Sequence, residues 1–243
     1  MTDRLHLHGA TRVFGPDAGL FGLDLTVTAG QVHALVGLNG AGKTTLMRAI
    51  LGMLRMPRGS IHIDGVPLAE MPAQAWSRVG HLVEHPFAYP ELDARTNLSL
   101  AARLHGVAPR AVPDVVASAL TELSLRRYAA VTARRLSQGN RQRLGIAAAL
   151  QHHPALIVLD EPTNALDPAG VVLLREALVR RAAAGAGVLV SSHHLDEVAR
   201  IAHRISVLNY GRVVGTLTAG TPDLERAFFD MAHADDEEER RLR

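Results

Sequence analysis

Gly37-Leu38-Asn39-Gly40-Ala41-Gly42-Lys43-Thr44-Thr45 decides how this chain is read. It follows the apolar run Val32-His33-Ala34-Leu35-Val36, which has the length of a buried strand, and it precedes Leu46, Ala49, Ile50, Met53 and Leu54, which recur at helical spacing. Strand, glycine loop and helix in that order predict an anion cradle. Glycines at 37, 40 and 42 free the backbone to turn successive N–H groups into one concavity, and the positive end of the following helix adds to it. Lys43 supplies an ammonium for terminal phosphates, and the Thr44 hydroxyl is placed to ligate the magnesium ion that accompanies them. The stretch therefore reads as a nucleoside-triphosphate site. The bland alternative is a glycine turn with a surface lysine, and composition weighs against it. Of the 26 residues counted as Lys+Arg, Lys43 is the single lysine. A compact, flexible point charge suits this place, where a guanidinium fork is too wide and too rigid.

Outward from the loop and its helix, the first ninety residues are rich in strands. Leu5 and Leu7 alternate with histidines and lead to Val13-Phe14-Gly15, while Leu23, Leu25 and Val27 alternate with polar residues. Ile61-His62-Ile63 and Val79-Gly80-His81-Leu82-Val83 follow, the latter ending at Glu84. From about Pro86 to Pro154 the apolar spacing becomes helical, and Ser137 stands where an N-cap would open a helix ending near His152-His153-Pro154. Local physics does not choose between a cap and a site at Ser137. Strand and helix then alternate: Ala155 to Leu159, a helix over Val171 to Ala184, Val188 to Val190, and Ile205 to Leu208. A terminal helix is expected after Thr221-Pro222, and Asp235 to Glu239 with the closing arginines read as a solvated or disordered tail.

Composition excludes several classes. Basic and acidic residues, 26 against 24, nearly balance, and aromatics make up 4%, so neither a polyanion partner nor stacking on single-stranded nucleic acid is expected. The absence of cysteine excludes disulfides and thiolate metal sites. No apolar run reaches the roughly 18 residues that a membrane span needs.

Two further places carry chemistry. Asp160-Glu161 ends a buried apolar strand, where ligands sit in open parallel sheets. Asp160 can hold the magnesium ion, and Glu161 can orient and deprotonate an attacking water. His193 also ends an apolar strand and should reach the same edge, where an imidazole can bond the γ-phosphate. Its neighbour His194 reads as a helix cap or a chance histidine. The adjacent pairs 152/153 and 193/194 do not read as a metal site, because neighbouring side chains point apart.

The phosphate loop, Leu136-Ser137-Gln138-Gly139-Asn140, Ile157 to Glu161, Ala165-Leu166-Asp167 and Ser192-His193, in this order and spacing, resemble the nucleotide-binding subunit of an ATP-binding cassette (ABC) transporter over about residues 4 to 220. The resemblance implies an α/β P-loop NTPase fold: a mixed sheet core, an N-terminal antiparallel β-subdomain and an inserted helical subdomain at about 86–154. One ATP-binding domain is expected over 1–232, with a charged, disordered tail over 233–243. ATP and Mg²⁺ are the implied cofactors. ATP is expected on residues 37 to 45, with Phe14 stacked on adenine and Thr44, Asp160 and Glu84 at the metal. Glu161 becomes the general base and His193 the switch residue. The resemblance also implies a homodimer with two sandwiched ATP molecules, in which Ser137, Gln138 and Gly139 reach the partner's nucleotide and Asp167 links the two sites. A separate membrane-spanning permease would carry the substrate, with this chain on the inner face of the membrane.

Two positions depart from the family pattern. Gln138 and Asn140 replace the signature's usual glycine and glutamine, and Glu84 stands where glutamine is usual. Together with Leu224 to Phe229, they resemble the branch that drives ABC-2 type exporters. Rival readings fit less well. A GTPase usually carries an Asn-Lys-x-Asp segment, which is absent here, and a small-molecule kinase needs a substrate pocket and lid arginines. The remaining alternative is a non-transport ABC ATPase of a ribosomal or nucleic-acid machine, but the second cassette, zinc module or long coiled coil of such proteins is missing.

Overall fold

The structure is a computed structural model, and it describes residues 2–15, 18–193, 195–218 and 220–242; His194 lies outside them. Strands β1 (Asp3–Gly15) and β2 (Ala18–Thr28) come first, then β3 (Val32–Val36) and helix α1 (Lys43–Ile50). After them come β4 (Arg58–Ile63), β5 (Val66–Pro67), β6 (Val79–Leu82), α2 (Ala94–Leu104), α3 (Val112–Glu122) and α4 (Gln138–Leu150). The chain continues through β7 (Leu156–Leu159), α5 (Pro168–Ala183), β8 (Gly187–Ser192), α6 (Leu195–Ala199), β9 (Arg204–Asn209), β10 (Arg212–Leu217) and α7 (Leu224–Leu242).

An antiparallel sheet of order β2-β1-β4-β5 packs against a six-stranded sheet of order β10-β9-β3-β8-β7-β6. In the second sheet β9, β3, β8, β7 and β6 are parallel neighbours, and only β10 runs antiparallel. Every residue of β3, β7 and β8 is buried, as expected for strands covered on both faces. Alternate residues serve different layers. Val32, Ala34 and Val36 join the helical side of the core, while Leu35 joins Leu5, Leu23, Leu46 and Ile50 on the side of the antiparallel sheet and α1.

His33 shares the second face. Its Nδ1 meets the Thr26 carbonyl at 3.0 Å and its Nε2 meets Ser206 Oγ at 2.8 Å, so one ring ties β3 to β2 and β9. Burial pushes its pKa down to about 4, against only partial compensation from the Thr26 carbonyl.

Parallel register gathers the C-terminal ends of β3, β8 and β7 on one edge: Val36 lies opposite Ser192, and Leu159 opposite Val190. The helices α2, α3 and α4 form the insertion between β6 and β7, entered just after Glu84. Two of their starts carry side-chain caps. Asp93 accepts from the Thr96 amide at 2.7 Å, and Ser137 accepts from the Asn140 amide at 3.3 Å.

The segment that the sequence reads as a charged tail is helical up to Leu242. The helix α7 runs on to Leu242 because its first turns are seated: Phe228 and Ala232 are buried, and Asn209 Nδ2 donates to Asp235 Oδ2 at 2.9 Å. Arg226 with Asp230 and His233 with Glu237 form pairs at helical spacing, so the charged segment extends a helix that is already nucleated. Among the described residues no helix is long and apolar enough to cross a membrane.

Candidate active site

The phosphate loop is shaped by close backbone approaches. Gly40 and Gly42 take φ of +87° and +106°, which side-chain-bearing residues rarely adopt. A Cβ on Gly37 would stand 2.2 Å from the Leu208 carbonyl oxygen, so the loop's start is pressed against the end of β9. Leu38, Asn39 and Gly40 are exposed at the crest, Ala41 is buried, and Thr44 and Thr45 are half-buried. Lys43 is folded inward rather than free at the surface: it is 6% exposed. Its Nζ donates to the Gly37 carbonyl at 2.7 Å and to the Leu38 carbonyl at 3.3 Å. It also stands 3.3 Å from Glu161 Oε1. The ammonium is thus tethered inside the loop that it would serve.

The edge carboxylates are wired together. Thr44 Oγ1 donates to Asp160 Oδ2 at 2.6 Å, and Ser191 Oγ donates to Asp160 Oδ1 at 2.6 Å. The Glu161 amide in turn donates to Ser191 Oγ at 2.8 Å. Glu161 has a φ of +45°, a sparsely populated conformation for a residue with a side chain, which swings it toward the histidine. His193 Nδ1 lies 2.7 Å from Glu161 Oε2, and the His193 amide donates to the same oxygen at 3.3 Å. Lys43, Thr44, Asp160, Glu161 and His193, expected from three separate stretches of sequence, therefore form one contact network, joined by Ser191, between the start of α1 and the ends of β7 and β8.

Hard oxygen donors on Thr44 and Asp160, 2.6 Å apart, fit Mg²⁺ better than a softer metal, although among the described residues no three carboxylates or histidines stand together as a metal cluster. Thr44, Glu84, Asp160 and Glu161 line a cavity of about 690 Å³ together with Gln138 and Arg141 of α4. Glu84 also has a left-handed backbone, φ +66°, and its Oε1 pairs with Arg48 Nη2. The Arg48 guanidinium holds the Glu84 carboxyl below the usual carboxylate range.

The other predicted residues stand elsewhere. Phe14 is 54% exposed near the end of β1, with the Arg12 guanidinium 5.3 Å from its ring centre. Ser137 is exposed, and neither it nor Gly139 lines the cavity of Thr44 and Glu161. Gly139 is pressed on the loop after β7: a Cβ there would stand 2.7 Å from the Ala165 carbonyl oxygen. Asp167 caps α5, accepting from the Gly170 amide at 2.9 Å, and pairs with Arg143 of α4. Arg143 keeps the Asp167 carboxyl below its ordinary range.

Ser191, Arg48 and Arg143 carry no mark in the sequence. The first ends an apolar strand without a motif of its own, and the two arginines sit at helix positions where a solvated charge is the ordinary reading.

Residues 20–164 match the family described as ABC transporter. An uncharacterised ABC transporter ATP-binding protein of Bacillus subtilis is 33% identical over 236 residues, covering 96% of this chain and 78% of the relative. A daunorubicin resistance ATP-binding protein of Streptomyces coeruleorubidus is 37% identical over 211 residues, covering 87% of this chain and 67% of the relative. Among solved structures, the ATP-binding subunit of an ABC transporter superposes with a TM-score of 0.83 at 30% identity, covering 94% of both chains.

Proposed function

The chain belongs to the ABC transporter family as an ATP-binding subunit and ATPase that powers transport, and from that premise we propose how its residues divide the work. The observation that carries the proposal is the unbroken network from Lys43 and Thr44 through Asp160, Ser191 and Glu161 to His193.

Residues 37 to 45 bind the triphosphate, with Lys43 exchanging its loop carbonyls for phosphate oxygens. Thr44, Asp160 and Glu84 hold Mg²⁺, which when bound neutralises phosphate charge. Glu161 accepts the proton of the attacking water as the water oxygen bonds to the γ-phosphorus and the bridge to the β-phosphate breaks. His193, already on Glu161 Oε2, orients that carboxylate and stands ready for the γ-phosphate. The Phe14 ring stacks on adenine.

Ser137, Gln138 and Gly139 serve the nucleotide of a second copy of this chain, and Asp167 connects the two sites. Ser137 is exposed and does not line its own chain's cavity, which supports that assignment for Ser137, whereas Gln138 lines the cavity of its own chain. The partner is a separate membrane permease of the ABC-2 type, the direction is export, and the chain works at the cytoplasmic face. Glu84 and the altered signature at Gln138 and Asn140 support this branch.

Glu161→Gln tests the reading. The variant should bind ATP, lose turnover and shift from monomer to a stable dimer on a sizing column, since the amide holds water without accepting its proton. Full hydrolysis by the variant would remove Glu161 as base. For the transport role, a candidate permease of the ABC-2 type should raise the ATP turnover of this chain when both are placed in lipid vesicles; turnover unaffected by it would rule out that partner.

A further inference from the structure

Glu84 brings a third carboxylate to a cavity that Asp160 and Glu161 already line. Carboxylates that share a cavity repel one another and a triphosphate alike, unless cations stand close. Lys43 stands 3.3 Å from Glu161 Oε1 and Arg134 and Arg141 line the same cavity, while the cation paired with Glu84 is on α1. Arg48 lies four residues after Thr44, on the same helix face one turn further from the phosphate loop. Its Nη2 takes Glu84 Oε1, and both side chains are half-exposed, 38% and 44%. Arg48 is not itself among the residues lining the cavity, so it approaches Glu84 from outside. Glu84 in turn sits at a backbone φ of +66°, at the point where the chain leaves β6 for the helical insertion. A strained backbone and a tethered carboxylate oxygen together fix where the remaining oxygen can go.

We propose that Arg48 is a positioning residue for the metal-facing carboxylate of this site: it anchors one oxygen of Glu84, leaves the other for Mg²⁺, and offsets the charge that Glu84 adds beside Asp160 and Glu161. The inference rests on the nucleotide site proposed above. It also ties the phosphate-loop helix to the entrance of the helical insertion through a side-chain pair rather than through the metal alone.

The test is an Mg²⁺ titration of the binding of a fluorescent ATP analogue, run beside ATP turnover on the same preparations. Arg48→Met should raise the Mg²⁺ concentration for half-maximal binding about three- to tenfold, and Arg48→Lys, which keeps a cation, should stay within about twofold of wild type. Glu84→Gln should shift the metal dependence in the same direction as Arg48→Met. Because both residues act through one carboxylate, the double variant should resemble Glu84→Gln alone rather than the product of the two shifts. Arg48→Gln, with a shorter uncharged side chain, repeats the comparison if Arg48→Met folds poorly. An unshifted titration in Arg48→Met and Arg48→Gln, or multiplied shifts in the double variant, overturns the role of Arg48. Magnesium-independent binding by the wild type would instead overturn the metal site itself, so the two failures are distinguishable.

Discussion

Ser191 is the residue through which Asp160 and Glu161 are held to β8, and its hydroxyl both donates and accepts there. It is fully buried, so Ser191→Ala leaves a carboxylate oxygen and a backbone amide without their partner, at a cost of about 1–3 kcal/mol. Turnover should fall about 10- to 100-fold, as for supports of metal-site ligands generally, while nucleotide binding persists. Steady-state ATPase assays with a melting curve check this; wild-type turnover would show that the hydroxyl does not position the carboxylates. Thr44, Asp160 and Glu161 are legible in the sequence because loop and strand motifs concentrate their signal within a few residues. The Ser191 contacts are not, because its partners lie 31 and 30 residues away in the chain. Only the folded sheet, which sets β7 beside β8, brings them together.

At the scale of elements, the start of α4 and the loop after β7 meet with no room between them, Gly139 standing against the Ala165 carbonyl. Gly139→Ala must push backbone from backbone, since the 2.7 Å approach has no flexible side chain to yield. The displaced helix start should cost turnover about tenfold or more while leaving the melting temperature near wild type, because Gly139 lies at the rim and not in the core. Unchanged turnover would mean that the contact tolerates a methyl group. Strands are legible where both layers bury them, as in β3, β7 and β8, since a short, unbroken apolar run bounded by turns suits a strand covered on both faces. The end of α7 is not legible in the same way: charge density argues for a solvated tail, but the anchors Phe228 and Asp235 act through β9 and the core, and no local pattern announces them.

The whole molecule carries its histidines unevenly into acid. Folded His33 takes up a proton only near pH 4, whereas its ordinary value is 6.5. Between those values the unfolded chain holds more protons, so stability falls as pH drops, by up to roughly 3 kcal/mol for this one ring. His152, stacked on His105 with ring centres 3.8 Å apart and pushed down to about 3 by burial, adds to the same loss. The unfolding midpoint should be flat above pH 7 and decline from 6.5 to 4.5, before most carboxylates titrate. His33→Asn should flatten that decline while lowering stability at neutral pH through its lost bonds. A wild-type midpoint constant from pH 6.5 to 4.5 would contradict the neutral, buried state of His33.

A chain whose single lysine is buried in its phosphate loop also carries a single recognition point for a protease that cuts after lysine and not after arginine. That bond, Lys43 to Thr44, opens the first turn of α1, so it yields only when the loop and helix start locally unfold. Digestion of the native chain should give one cut and two fragments, at a rate set by how often this corner opens. Bound nucleotide should slow that cut without any label or substitution being introduced.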